Sequence, residues 1–176
     1  MTTRRGRVLI NTGDGKGKTT AALGLAVRAV GQGLRVLIVQ FIKGDWPTGE
    51  LRALGRLAPE LTVATMGKGF TWEHENLEQD RAAASEAWDL CRRALTSGEY
   101  DLVVMDEVNY AISYRLLDVG LVAAALRERR PEVHVVLTGR DVHPDLIALA
   151  DTVTEMRAIK HPFRDEGTKA MRGIEY

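Results

Sequence analysis

Val8-Leu9-Ile10-Asn11-Thr12-Gly13-Asp14-Gly15-Lys16-Gly17-Lys18-Thr19-Thr20 is the stretch that decides the architecture of this chain. An apolar run gives way to a glycine-rich turn and then to a helical pattern, and that order reads as a phosphate-binding loop. A polyphosphate has to be met by several backbone N–H groups pointing the same way, which needs backbone angles and close approaches that glycine tolerates best. Gly13, Gly15 and Gly17 supply that freedom. A helix starting near Lys18 aims free N–H groups and its positive dipole end at the same anion, and Lys18 adds a full charge. Thr19 offers a hydroxyl to Mg²⁺, a hard cation that prefers oxygen ligands and stays largely hydrated. The expected nucleotide-binding residues are therefore Gly13, Asp14, Gly15, Lys16, Gly17, Lys18, Thr19 and Thr20. The usual pattern is G-x-x-x-x-G-K-S/T; here Thr12 holds its first position and Gly13 follows one residue later, so the loop is a variant.

Outward from this loop, β-rich runs alternate with helical patterns. Strands are expected at Arg7–Asn11, Arg35–Gln40, Leu61–Met66, Leu102–Asp106, Val133–Thr138 and Thr152–Met156. Helices are expected at Thr19–Val30, Leu77–Thr96, Asp118–Arg129 and Pro144–Ala150. Such alternation predicts an α/β fold, a single domain over residues 1–176 with a mainly parallel, doubly wound sheet of about six strands flanked by helices. Thr19–Val30 is apolar almost all round, which predicts a buried helix, and Gly31 and Gly33 mark its stop. Leu77, Ala84, Trp88, Cys91 and Leu95 recur at helical spacing, so Cys91 is expected to pack in the core and not to act as a nucleophile. Asp118 suits the N-cap of its helix. Lys43–Gly49 and Gly67–Asn76 lack periodicity, and loops at the carboxyl ends of strands are where ligands sit in such folds.

Composition narrows the function classes. Lys plus Arg is 24 and Asp plus Glu is 24, so the formal charge is zero and no basic field draws in nucleic acid or an anionic membrane. One cysteine excludes an internal disulfide. No apolar run approaches the roughly 20 residues of a bilayer span, and the N-terminus lacks the features of a signal peptide, so a cytoplasmic location is expected.

The run Leu102-Val103-Val104-Met105-Asp106-Glu107 ends an apolar strand in two carboxylates. In a nucleotide-binding α/β domain an acid at that place can hold Mg²⁺ directly or through water, so Thr19, Asp106 and Glu107 are the expected metal residues. The plainer reading makes Asp106 a helix cap and Glu107 a solvated charge. His74, His134, His143 and His161 show no metal-ligand spacing. From the residues alone the chain is a Mg²⁺–nucleoside triphosphate-binding domain whose reaction stays open among kinase, hydrolase, and nucleotidyl or alkyl transferase.

Further segments carry a resemblance. Gln40-Phe41-Ile42-Lys43-Gly44, Met66-Gly67-Lys68-Gly69-Phe70-Thr71-Trp72-Glu73 and Met105-Asp106-Glu107-Val108-Asn109-Tyr110-Ala111 appear in order. They are followed by Leu137-Thr138-Gly139-Arg140, Ala150-Asp151-Thr152-Val153-Thr154-Glu155-Met156, Lys160-His161-Pro162-Phe163 and Gly173-Ile174-Glu175-Tyr176. With the loop, this set resembles the P-loop type of corrinoid adenosyltransferase. The resemblance implies that ATP and a reduced corrinoid are the substrates. Co(I) would attack the 5′ carbon of Mg-ATP, giving adenosylcorrinoid and inorganic triphosphate, in cobalamin biosynthesis or salvage. It implies catalytic roles for Lys18, Phe70 and Trp72. The two aromatics would wedge below the corrin ring and exclude the lower axial ligand, which eases reduction of Co(II). By the same analogy Thr19 and Glu107 hold Mg²⁺ with Asp106 beside them, and Arg140, Lys160 and His161 line the nucleotide or corrinoid cleft. A homodimer and a flavoprotein electron donor are also implied, with no nucleic-acid or membrane partner. Members often carry an N-terminal segment that folds over the site, whereas only Met1–Gly6 precede the first expected strand, so that cover is expected to be missing or to come from elsewhere. Two competing readings are a P-loop kinase or ATPase, which predicts ADP, and a nucleotide-dependent cofactor-binding module, which predicts binding without turnover.

Overall fold

A computed structural model describes residues 5–42, 48–66, 77–161, 165, 167 and 169–174. Its strands are β1 (Val8–Thr12), β2 (Val36–Gln40), β3 (Leu61–Thr65), β4 (Leu102–Asp106), β5 (His134–Thr138) and β6 (Thr152–Glu155). They form one sheet in the order β3-β2-β4-β5-β1-β6. Every neighbouring pair is parallel. The expected α/β architecture with about six parallel strands is therefore the observed one.

Why the strands form is visible in their burial. β2 (Val-Leu-Ile-Val-Gln) and β4 (Leu-Val-Val-Met-Asp) are buried at every position, as a parallel sheet covered on both faces requires. Alternate residues serve opposite faces. Leu37, Val39, Val103, Met105, Val135 and Leu137 join one core cluster, whereas Val36, Ile38, Leu102, Val104 and Val136 join another.

The helices complete those cores. On the first face lie α3 (Leu77–Ser97), α4 (Val108–Ser113), α5 (Val119–Glu128) and α6 (Pro144–Leu149). Cys91 is fully buried on α3 beside Trp88 and Leu95, and burial pushes its thiol pKa far up, which leaves it a packing residue as expected. Asp118 caps α5, its Oδ1 accepting the N–H groups of Gly120 at 2.6 Å and Leu121 at 3.3 Å. The second face is covered by α1 (Lys18–Gly31) and α2 (Gly49–Leu54).

α1 corrects one expectation. Ala22, Ala26 and Ala29 are buried against the sheet, but Val27 is 48% exposed, so the helix is not buried all round. Val27 and Gly24 face outward and line a cleft that Leu23, itself packed at the edge of the core, also reaches, which accounts for an apolar surface beyond what the core uses. The expected stop holds: Leu34 N–H donates to Ala29 O and Gly33 N–H to Val30 O, the pair of bonds that closes a Schellman turn. Two short helices, α2 and α4, have no counterpart among the expected elements; six residues show little helical periodicity, and neither opens on a proline as α6 does. Strand and helix ends otherwise shift by a residue or so.

In a parallel sheet all carboxyl ends lie on one edge. The segments after β1, β4 and β5 therefore leave the sheet together, and the site forms where they meet.

Candidate functional site

The loop between β1 and α1 is tight and braced from outside. Gly13 has φ 94°, and a Cβ there would lie 2.5 Å from Met156 O, so no side chain fits. Gly15 N–H donates to the same Met156 carbonyl at 2.6 Å, and Met156 N–H donates to Thr12 O at 2.8 Å. The loop is thus stitched to the residue that follows β6. Gly17, with φ 110°, is the N-cap of α1 and makes no side-chain cap, which leaves the first N–H groups of the helix without that partner.

Lys18 closes the loop from within. Its Nζ donates to Gly13 O at 2.7 Å and to Gly15 O at 2.8 Å, and the residue is 8% exposed. Burial lowers the pKa of the ammonium, while Glu107 raises it, Arg140 lowers it and Asp14 raises it. The cation is held at the centre of the turn and is only partly hydrated.

β4 brings the two acids to the same place, and they are not equivalent. Asp106 is 3% exposed and accepts the hydroxyls of Thr19 at 2.8 Å and Thr138 at 2.7 Å on Oδ1, and Gln40 Nε2 at 3.3 Å on Oδ2. Its lone pairs are largely taken by protein donors. Glu107 caps α4 with φ 61°, a left-handed conformation that is uncommon for a residue with a Cβ. Its N–H donates to Thr138 Oγ1 at 2.8 Å. Burial pushes its carboxyl pKa up, the neighbouring Asp106 pushes it further, and Lys18 and Arg140 pull it down. Two adjacent acids with only partial cationic compensation make a place where an added cation would be favoured.

These groups open onto a cleft of about 1040 Å³. Its lining mixes charged and hydroxyl groups (Lys16, Lys18, Thr19, Asp106, Glu107 and Arg140, with Glu50 from α2) with apolar ones (Leu23, Val27, Ile42, Ala53, Leu54 and Ile174). Arg140 Nε sits 3.7 Å from Asp14 Oδ1, both side chains being more than half exposed, so the pair is weak and easily exchanged.

Of the residues expected from sequence, the structure gathers Lys16, Lys18, Thr19, Thr20, Asp106, Glu107 and Arg140 on this cleft, with Gly13, Asp14, Gly15 and Gly17 in the adjoining loop. Lys160 and His161 are not among its lining residues. Phe70 and Trp72 lie outside the described residues. Sequence reasoning missed Tyr110, which lines the cleft and stacks on Tyr114 with ring centroids 4.1 Å apart. It also missed the polar contacts of Gln40 and Thr138 with Asp106; the only signal was a polar residue ending an otherwise apolar strand in each case.

The profile described as ATP:corrinoid adenosyltransferase BtuR/CobO/CobP matches residues 4–176 of this chain. The corrinoid adenosyltransferase of Escherichia coli (strain K12) is 48% identical over 172 residues, which cover 98% of this chain and 86% of that protein. Corrinoid adenosyltransferase CobA of Salmonella typhimurium is likewise 48% identical, with the same coverage of both chains. The corrinoid adenosyltransferase of Pseudomonas aeruginosa is 42% identical, covering 98% of this chain and 84% of its own.

Proposed function

This chain belongs to the ATP:corrinoid adenosyltransferase family, and we propose that its cleft binds Mg-ATP and a reduced corrinoid side by side and directs cobalt to the ribose 5′ carbon. The observation that carries this reading is the convergence of Lys18, Thr19, Glu107 and Arg140 on a cleft that Leu23, Val27, Ile42, Ala53 and Leu54 also line. The polar groups suit a triphosphate, and the apolar ones suit a nucleoside or a macrocycle.

The donor set fits Mg²⁺. That ion takes one or two protein oxygens and keeps several waters. Thr19 Oγ1 spends its hydrogen on Asp106, which leaves its lone pairs for a cation. Glu107 supplies an incompletely compensated carboxylate. Asp106, which accepts from three protein donors, anchors Thr19 and stands beside the ion. When bound, the ion would neutralise charge on the triphosphate oxygens.

Cobalt(I) supplies an electron pair to the 5′ carbon; the cobalt–carbon bond forms, the carbon–oxygen bond breaks, and triphosphate leaves with that bonding pair. The cobalt is formally oxidised by two electrons and no proton moves, so no general base is required. Lys18, the free N–H groups at the start of α1 and Arg140 meet the charge that grows on the leaving group. Phe70 and Trp72 take the part of excluding the lower axial ligand of Co(II), a role that rests on sequence resemblance. The same resemblance supports a homodimer that draws its electron from a flavoprotein, while chain length supports a single domain and the sequence features a cytoplasmic location. No helix among the described residues is long and apolar enough to cross a membrane.

The test mixes the protein with Mg-ATP and chemically reduced corrinoid and follows light-sensitive adenosylated product together with inorganic triphosphate. Equal yields of the two are expected. ADP and phosphate as the sole nucleotide products would defeat the proposal, and isotopic oxygen tracing should place cleavage between the 5′ carbon and its oxygen. Light scattering on the eluted protein checks the dimer, a monomer mass removing it.

A further inference from the structure

β1, which carries the loop, and β4, which carries the acids, are not neighbours in the sheet. β5 lies between them. The direct tie between loop and acids, Thr19 to Asp106, is made from α1; within the sheet the strand between them ends in Thr138, fully buried. Its hydroxyl does two things at once. It donates to Asp106 Oδ1 at 2.7 Å and accepts the N–H of Glu107 at 2.8 Å. The first bond helps fix the carboxylate that orients Thr19. The second holds the left-handed backbone of Glu107, the turn that directs its side chain to the cleft.

The same line continues across the sheet. Gln40, at the end of β2 and 1% exposed, donates through Nε2 to Asp106 Oδ2 at 3.3 Å and accepts the Thr65 hydroxyl on Oε1 at 3.1 Å. Thr65 and Gln40 are register partners, as are Gln40 and Asp106. Thr65, Gln40, Asp106 and Thr138 are the last residues of β3, β2, β4 and β5, four adjacent strands. Gln40, Asp106 and Thr138 are buried, and buried polar side chains are costly unless each has its partner. None of the four except Asp106 lines the cleft, so the service of the others to substrate is indirect.

We infer that Thr138 is the positioning residue of this site: one hydroxyl sets Thr19, through Asp106, and Glu107, through its backbone, as a matched pair of oxygen ligands, with Gln40 holding Asp106 from the other side. The inference rests on the proposed Mg²⁺ role of Thr19 and Glu107. It predicts that loss of the hydroxyl weakens metal-dependent nucleotide binding and spares nucleotide binding that needs no metal, because the loop and Lys18 make no bond to Thr138.

The experiment is calorimetric ATP binding to the full chain, without corrinoid, across a Mg²⁺ series and again in excess chelator. Thr138→Val keeps the shape and removes the hydroxyl; Thr138→Ser keeps the hydroxyl. Loss of an outer partner of a metal ligand typically costs 10–100-fold in affinity, so Thr138→Val should raise the Mg²⁺ concentration for half-maximal ATP binding at least about tenfold. Its metal-free ATP affinity should stay within about twofold of wild type, and Thr138→Ser should match wild type in both. Gln40→Met, which strips the donor from Asp106 Oδ2, should move Mg²⁺ dependence in the same direction and provides the reading should Thr138→Val not fold. Equal losses with and without metal, or a Thr138→Val protein with normal Mg²⁺ dependence, would overturn the inference alone. A wild-type protein whose ATP binding ignores Mg²⁺ would overturn the metal reading beneath it as well.

Discussion

Thr19 Oγ1 donates to Asp106 Oδ1 at 2.8 Å, joining the first turn of α1 to the end of β4 across 87 residues of sequence. The bond divides the labour between two neighbouring acids. Both line the cleft, and Asp106 is the one that accepts from Thr19, Thr138 and Gln40. Replacing Asp106 by Val, close in size and unable to accept, leaves the donors of Thr19, Thr138 and Gln40 without their shared acceptor. An unsatisfied buried donor costs about 1–3 kcal/mol. Asp106→Val should therefore lower Tm by several degrees, at about 2–4 °C per kcal/mol for a chain of this size, and should also weaken Mg-ATP binding. An unaltered melting curve would remove the anchoring role.

Lys18 is tied to both the structure and the charge of the loop through Gly13 O and Gly15 O. Lys18→Ala should reduce kcat/KM for ATP by about 10²–10³, the loss typical of one preorganised stabilising donor. Because the missing charge acts on the leaving group, the loss should be similar for every corrinoid offered. Lys18→Arg should not restore activity, since a planar fork does not replace an ammonium enclosed by two loop carbonyls. Initial rates with pre-reduced corrinoid decide this, and full rescue by arginine would contradict it.

At Asp118 the expected effect is on stability alone. The side chain caps α5 and is not among the cleft residues. Asp118→Ala should cost about 1 kcal/mol and leave kcat and KM unchanged. Chemical denaturation and steady-state rates on the same preparation check both halves.

How much of this was legible beforehand depended on the range of the signal. The Gly-Lys-Thr loop, the apolar strand ending in Asp106-Glu107 and the cap at Asp118 are local patterns, and each stands where the sequence places it. The outer surface of α1 is not legible in sequence, because Val27 is apolar whether it meets a core or a cleft and periodicity does not distinguish the two. The unequal roles of Asp106 and Glu107 were hidden for a different reason. They depend on Gln40 and Thr138, which reach Asp106 only after the sheet order has formed. Tyr110 acquires its place from α4, a helix too short to announce itself.

Phe70 and Trp72 lie in a stretch outside the described residues, so their prediction rests on chemistry. If they exclude the lower ligand of Co(II), Phe70→Ala and Trp72→Ala should harm turnover chiefly when cobalt must be reduced in the site. With cobalt(I) formed beforehand the loss should be much smaller. The two assays run side by side on each variant give the answer, and equal losses would dismiss the axial-ligand role.

Glu107 gives the protein a pH signature with a definite sign. Its carboxyl pKa is raised above the ordinary 4.5, first by burial and then by Asp106, so the folded state holds this proton more tightly than the unfolded chain does. Stability from this group is fully present below the ordinary value and is lost as pH rises through the raised one. Without metal, Glu107→Gln should thus melt higher than wild type at neutral pH, and the difference should shrink as the pH falls toward 4.5. Mg-ATP should reverse the order, because the wild-type carboxylate then gains a cation that glutamine cannot hold as well. Melting temperatures of both proteins across the pH range, in chelator and with Mg-ATP, provide the check. A gap between the proteins that is constant with pH would show that Glu107 is not the group that titrates, and an unreversed order with Mg-ATP would take away its role as a ligand.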